Sequence, residues 1–289
     1  MPRGLDHIVH AARDLEALAE SYRRLGFTVG ARNRHPWGTH NHIVQLPGFF
    51  VELLTVAEPE GLGGEGIPRL FGAFNRDFLK SHEGLSMLIL ESRDAAGDAR
   101  AFKDADIAAS GALRFEREGR RPDGSAVKVA FSLAFARDPI APDIGFAVCQ
   151  QHHPENFWNP AFQSHPNSVS AIAGVVMVAE NPTDHHIFIS AFAGERELQS
   201  TSAGITVFTP RGEIQAMDAS AYRNHFGVEP PEGESNPRLA AIRFVSRDLA
   251  AVRSILNGSG TAFAERMERI VIAPSVEMGA CIVFEAPRS

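Results

Sequence analysis

Apolar and polar positions alternate in short blocks along this chain, and the blocks recur in one order. LDHIVHA, from Leu5, has the pattern of a strand. From Asp14, an N-cap residue type, the apolar positions Leu15, Leu18, Ala19, Tyr22 and Leu25 follow the i, i+3, i+4, i+7 spacing of a helix face, which Gly26 ends. Three strand-like runs follow, FTVGARNR from Phe27, HNHIVQLP from His40 and FFVELLTV from Phe49, separated by Gly and Pro of the hairpin kind. The pattern predicts a βαβββ unit.

The same order returns three times. GLSMLILESRDAAGDARAF from Gly84 gives strand then helix, followed by ALRFEREG, SAVKVAFSLAF and IGFAVCQQ. SAIAGVVMVAENPTDH opens a third copy and RLAAIRFVSRDLAAVRSIL a fourth, with first-strand anchors at Leu5, Leu85, Ile172 and Leu239. A period of about 80 residues is too long for a solenoid and right for a repeated subdomain. The clearest internal echo sets HAARDLEAL from His10 against FVSRDLAAV from Phe244. Four units make two pairs, and HHPENFWNPAFQSHPNS from His152, rich in Pro, Asn and His, stands where a linker belongs. The expected fold is α+β with two tandem domains, 1–160 and 168–289.

LDHIVHAARDL, with GF after the helix and FVELLTV closing the unit, resembles the vicinal oxygen chelate superfamily (glyoxalase, bleomycin-resistance and extradiol dioxygenase proteins), in its glyoxalase-like branch. The resemblance implies that paired units curl their sheets around a cup, with a divalent metal held by one inward residue from the first and last strand of each unit. Carried over, the first-unit ligands fall on His7 and Glu52, and the second-unit positions on Met87 and on Cys149 or Gln151. Met87 offers a soft thioether, and neither Cys149 nor Gln151 is the usual carboxylate. In the second pair the positions fall on Gly174 and Ala241, which cannot coordinate, so that half is expected to be metal-free.

Alternation along strands puts Leu5, His7 and Val9 on one face and Asp6, Ile8 and His10 on the other. In FFVELLTV, Phe49, Val51 and Leu53 face a helix, leaving Phe50, Glu52 and Leu54 opposite. Glu52 is then an acid in an apolar strand, costly to bury unless paired, protonated or bound to a cation. A His and a Glu in one cup supply ligands for Zn, Fe, Mn or Ni, or an acid–base couple without metal, or an ion pair that only shapes the cup. His40, His42, His152 and His153 are spare imidazoles. In SAVKVAFSLAF the small residues Ala130, Ser132 and Ala134 share a face with Lys128, which is expected to project into the cup and bind an anionic group of the substrate. Asn41, by the resemblance, belongs at the pocket, and aromatic residues such as Trp37 and Phe50 would hold a ligand.

The net charge of -7, from 28 basic and 35 acidic residues, and scattered basic positions exclude the electrostatic footprint of a nucleic-acid or anionic-membrane binder. A small-molecule ligand is the expected partner. Cys149 and Cys281 form no CxxC pair, which speaks for a reducing, cytoplasmic setting, and no run of about 18 apolar residues spans a membrane. GLGGEG, from Gly61, imitates a dinucleotide-binding loop, but Glu58, Glu60 and Glu65 would repel a pyrophosphate and no crossover helices precede it. It is expected to form a loop over the cup. GxSxG, HExxH and Walker A motifs are absent. The functions that remain are a glyoxalase-like isomerase, lyase or dioxygenase, with or without a metal, or a metal-free sequestering protein; two chains could also associate as a homodimer.

Overall fold

A computed structural model describes residues 1–120, 126–231, 236–276 and 278–288. Ser125 and Ser289, where the sequence reading begins a strand and ends the second domain, lie outside them. The first unit is β1 (Leu5–Ala11), α1 (Leu15–Arg24), β2 (Asn33–Arg34), β3 (Thr39–Leu46) and β4 (Phe49–Val56). A cover segment follows, made of a 3-10 turn (Pro59–Leu62), a π-turn (Pro68–Ala73) and α2 (Phe74–Ser81). The second unit is β5 (Gly84–Glu91), α3 (Ala95–Asp104), β6 (Ala108–Arg120), β7 (Ala126–Ala136) and β8 (Gly145–Gln151), and the linker carries α4 (Pro154–Phe157). The third is β9 (Val169–Val178), α5 (His186–Ala193), β10 (Gln199–Thr201), β11 (Gly204–Phe208) and β12 (Glu213–Met217), with α6 (Ala219–Phe226) leading onward. The fourth is β13 (Arg238–Ser246), α7 (Leu249–Ser259), β14 (Ala264–Arg266), β15 (Arg269–Ile272) and β16 (Cys281–Glu285).

The units pair as the repeat predicts. Two eight-stranded sheets have the orders β2-β3-β4-β1-β5-β8-β7-β6 and β10-β11-β12-β9-β13-β16-β15-β14. In each, the first strands of two units pair antiparallel at the centre, and each first strand pairs parallel with the last of its own unit. The internal echo has a local cause. Asp14, Asp94 and Asp248 each accept backbone N–H bonds from the first turn of α1, α3 and α7, satisfying donors that a helix leaves unpaired.

One expected strand is shorter than its pattern. FTVGARNR pairs only at Asn33 and Arg34, because Thr28 bonds instead to the linker, its N–H to His165 Nδ1 (3.0 Å) and its hydroxyl to Ser164 O (2.7 Å). Between the two, the segment touches β3 at Gly30, whose N–H donates to the Ile43 carbonyl at 2.9 Å.

A continuous apolar core joins the two sheets through their helices. It gathers Ile8, Val51 and Leu88 of the first sheet, Leu18 of α1, Phe102 of α3, Phe192 of α5 and Leu256 of α7, and Val175, Ile242 and Phe284 of the second sheet. Polar contacts cross the same boundary. His185 and Asp138 pair at 2.6 Å while buried, and His10 is wedged between the Tyr22 hydroxyl and the Met278 carbonyl. Burial lowers the His10 pKa to about 4, so this ring is neutral at physiological pH.

The cup of the second sheet is filled by the chain itself. Tyr222 and Phe226 of α6 pack against Val176, Ala241 and Val283. Beside them Arg243, 1% exposed, is held by Glu213, Gln215 and Glu285.

Two predictions follow from the buried groups. Arg243→Met leaves Glu213 and Glu285 with only their outer partners Arg288 and Arg269, and urea unfolding should show a loss of about 3 kcal/mol. The depressed His10 pKa contributes stability that is present above pH 6.5 and lost as pH falls toward 4, on the order of 3 kcal/mol. His10→Gln should flatten that part of the stability–pH curve.

Candidate functional site

The first cup, unlike the second, is open. The space within it that a water-sized body can enter is about 60 Å³. Most of the wall is ring surface, from Trp37, Phe50, Phe71, Phe115, Phe131 and Phe157. His7 from β1, Asn41 from β3, Glu52 from β4 and Cys149 from β8 place polar atoms within it, together with His35 from the β2–β3 loop and Arg117 from β6.

His7 and Glu52 therefore share one cavity. Glu52 reaches it because Phe49, Val51 and Leu53 face the helix-side core, as alternation predicts. His7 reaches it through a bulge. Leu5 pairs with Leu90 but His7 with Ile89, so Asp6 is an extra residue in β1. The bulge puts Leu5 into the helix-side core with Ile8, whereas strict alternation groups Leu5 with His7. It also turns Asp6, expected on the opposite face, toward His7. Asp6 Oδ1 lies 2.6 Å from His7 Nδ1, and Asp6 Oδ2 accepts from Gln151 Nε2 at 3.2 Å. With Nδ1–H donated to a carboxylate, Nε2 is the free acceptor of the ring. The ring stacks on Phe50 at a centroid distance of 4.2 Å.

Asn41 Nδ2 donates to Glu52 Oε1 at 2.5 Å, and His35 Nε2 stands 3.7 Å from the same oxygen. His35 is neutral. Burial pulls its pKa down to about 3, its Nδ1 bonds with the Thr39 hydroxyl, and its ring stacks on Trp37 at 4.7 Å. Burial raises the Glu52 pKa against the opposing influence of His7 and the Asn41 hydrogen bond, so desolvation dominates.

Other expected residues lie elsewhere. Lys128 is on the opposite face of β7, half exposed and paired with Glu116 at 2.9 Å. The assignment of faces in that strand is reversed: Val129, Phe131 and Leu133 face the cup, where the apolar cavity needs them, and Ala134 packs in the helix-side core. His40 pairs with Glu58, His42 with Glu16 and the Gly30 carbonyl, His152 with the Ser132 hydroxyl and His153 with Glu155, all outside the cavity wall. Trp37 and Asn41 line the cavity, and Gln151 sits behind it against Asp6. The GLGGEG segment forms part of the cover. Gly61 closes on the Trp37 carbonyl, which a Cβ there would meet at 2.8 Å, and Leu62 is buried among the cup's apolar residues.

The donor set does not suit a divalent metal. His7 offers its Nε2 and Glu52 one carboxylate oxygen, Asn41 holding the other, so the first unit supplies two suitable donors and the second unit supplies none. Met87 is buried with its sulfur accepting from Asn75 Nδ2 at 3.4 Å, and burial holds the Cys149 pKa far up, keeping it a thiol. Among the described residues no three His, Cys, Asp or Glu side chains group closely enough to hold an ion. Neither Gly174 nor Ala241 supplies a donor in the second cup. Among the described residues no helix is long and apolar enough to cross a membrane.

Fold and site together define a class: paired βαβββ units around an aromatic cup that holds an oriented histidine and a buried carboxyl. The model of the glyoxalase-like domain family matches residues 5–191, and the chain belongs to that family. Comparison with curated proteins gives no match. Among solved structures, a hypothetical protein from Staphylococcus aureus superposes with a TM-score of 0.69 at 12% identity, over 99% of this chain and 100% of that one. A mutant of 4-hydroxymandelate synthase from Streptomyces coelicolor gives 0.60 at 10% identity, over 100% and 94%. A xylose isomerase-like TIM barrel/4-hydroxyphenylpyruvate dioxygenase fusion protein gives 0.57 at 11% identity, over 100% of this chain and 50% of that one. The fold is that of the vicinal oxygen chelate superfamily; the reaction does not follow from it.

The raised Glu52 pKa has a testable sign. A carboxyl whose folded pKa is raised contributes stability below its unfolded value of 4.5 that is lost as pH rises through the folded value. Glu52→Gln should therefore be more stable than the parent at pH 8, with the difference vanishing below pH 4.5 in thermal melts.

Proposed function

We propose that this chain is a glyoxalase-like small-molecule enzyme that moves a proton on a small oxygen-rich substrate, with His7 as base and Glu52 as acid. The observation that carries the reading is the Asp6–His7 pair at 2.6 Å, whose imidazole shares one aromatic-walled cavity with Glu52. Asp6 sets the tautomer and steadies the imidazolium that forms. Burial keeps the Glu52 proton available nearer to neutral pH, where a general acid is most effective.

In the step this supports, His7 Nε2 takes the proton from a carbon next to a carbonyl while Glu52 gives its proton to the carbonyl oxygen. The product is an enol, a carboxylate at Glu52 and an imidazolium at His7. When the carbon that lost its proton bears a hydroxyl, the intermediate is an enediol; return of the His7 proton to the former carbonyl carbon, with Glu52 taking the proton of that second hydroxyl, moves the carbonyl by one carbon and completes an isomerisation without another reagent. Because only His7 and Glu52 among the metal-ligand positions carry suitable donors, Met87 being a thioether and Cys149 a buried thiol, the reading relies on side chains throughout.

The test is deuterium exchange into small carbonyl compounds in D2O, followed by proton NMR. The protein should accelerate exchange for compounds that it binds, and His7→Ala and Glu52→Gln should each slow it by about 100-fold or more. Asp6→Asn should lower the turnover rate with little change in KM. Compounds that bind without exchanging would replace this reading with that of a sequestering protein.

A further inference from the structure

We propose that the cup selects a flat, aromatic carboxylate, and that Arg117 holds the carboxylate where the cavity meets an outer groove. This names a substrate class for the site read above as an acid–base centre, and rests on that reading.

The geometry of β6 carries the inference. Phe115 and Arg117 line the cavity and Gly119 the groove, whereas the intervening Arg114, Glu116 and Glu118 are exposed on the other face. The outward charges have partners, since Glu116 pairs with Lys128 at 2.9 Å and Arg114 at 3.5 Å. Arg117 is half-buried, and its guanidinium has no ion pair or hydrogen bond to a described residue. Glu52 acts on Arg117 only at longer range, as a charge, and its Oε1 is engaged by Asn41. A partly desolvated guanidinium without a partner is costly, and its fork of donors matches a carboxylate in two parallel hydrogen bonds.

Shape supplies the rest. Arg117, Ile43 and Phe157 line both the cavity and the groove, so the guanidinium stands at the waist between them. Inside the waist the wall is made of rings, which favour a flat apolar body by stacking and edge contacts. Trp37, which also lines the cavity, adds a second unpaired donor: its Nε1–H is buried without an acceptor.

Trp37 and Trp158, the only two tryptophans, both stand at this site, Trp37 in the cavity and Trp158 in the groove with its ring against Phe50. Tryptophan emission can therefore be titrated with phenylpropanoate and with its neutral amide, phenylpropanamide. The acid should bind saturably, and the amide about thirty-fold more weakly. Arg117→Gln should abolish that preference with the amide unaffected, and Arg117→Lys should retain part of it. Equal binding of acid and amide by the parent would overturn the carboxylate assignment while leaving the acid–base reading to its own exchange test. An acid preference that survives in Arg117→Gln would overturn the role of Arg117. If neither compound binds saturably, the aromatic selection itself is overturned.

Discussion

A strand shows alternate residues to the two faces of its sheet, yet Leu5 and Ile8, three positions apart, both enter the helix-side core. The extra residue at Asp6 reconciles the two, and the same device appears in each unit. In the central pairings Ser86 and Ala240 are the extra residues of β5 and β13, and Ser170 and Ala173 those of β9. The bulge lets the first strand anchor its start under a helix and still aim its middle into a cup. In three units the extra residue is small. In the first it is an aspartate, so the constraint that builds the fold also sets a carboxylate beside His7. The Asp6–His7 contact depends on that one residue of register.

The aromatic wall decides the electrostatics that follow. Removing water from the cup disfavours every charge in it, and among the groups discussed the first-ranked influence is the same: burial lowers the His35 pKa and raises those of Glu52 and Cys149. Hydrogen bonds and nearby charges oppose this only in part. A dry cup thus produces a neutral imidazole at His35, a thiol rather than a thiolate at Cys149 and a carboxyl with a raised pKa at Glu52. A carboxyl with a raised pKa and a neutral imidazole in one cup suit proton transfer.

The repeat, the pairing of units and the faces of β4 could be read from the sequence because each depends on periodicity, which one chain displays directly. His7, Asn41, Glu52 and Trp37 were found by strand position or resemblance, and the structure gathers them around one cavity. Asp6 was missed because a bulge leaves no mark on alternation. Lys128 lies outside the cup because small residues do not mark its space: the cup is bounded by large rings, and Ala134 packs under a helix. Arg117 carried a signal: in ALRFEREG it alternates in phase with Leu113 and Phe115, the only charge in that phase. His35 carried none, since it stands in an irregular loop whose path is set by contacts distant in sequence.

The two cups show what distinguishes a filled repeat from an open one. In the second, α6 inserts Tyr222 and Phe226, and the cation inside, Arg243, meets two carboxylates and an amide from neighbouring strands. Its polar groups are satisfied by the chain. In the first, the corresponding connection is a longer cover in which Gly61 packs closely on Trp37 and Gly72 on Leu62 and Trp37, and the cavity lies beneath it. There the guanidinium of Arg117 makes no hydrogen bond or ion pair to a described residue, and the two buried side-chain atoms without a partner among the described residues, Trp37 Nε1 and Gln151 Oε1, lie in or behind the same wall. Interiors rarely tolerate such groups unless something else pairs with them. That they collect in the open cup is the physical reason to place binding there, with the second cup contributing a solid support through the shared core.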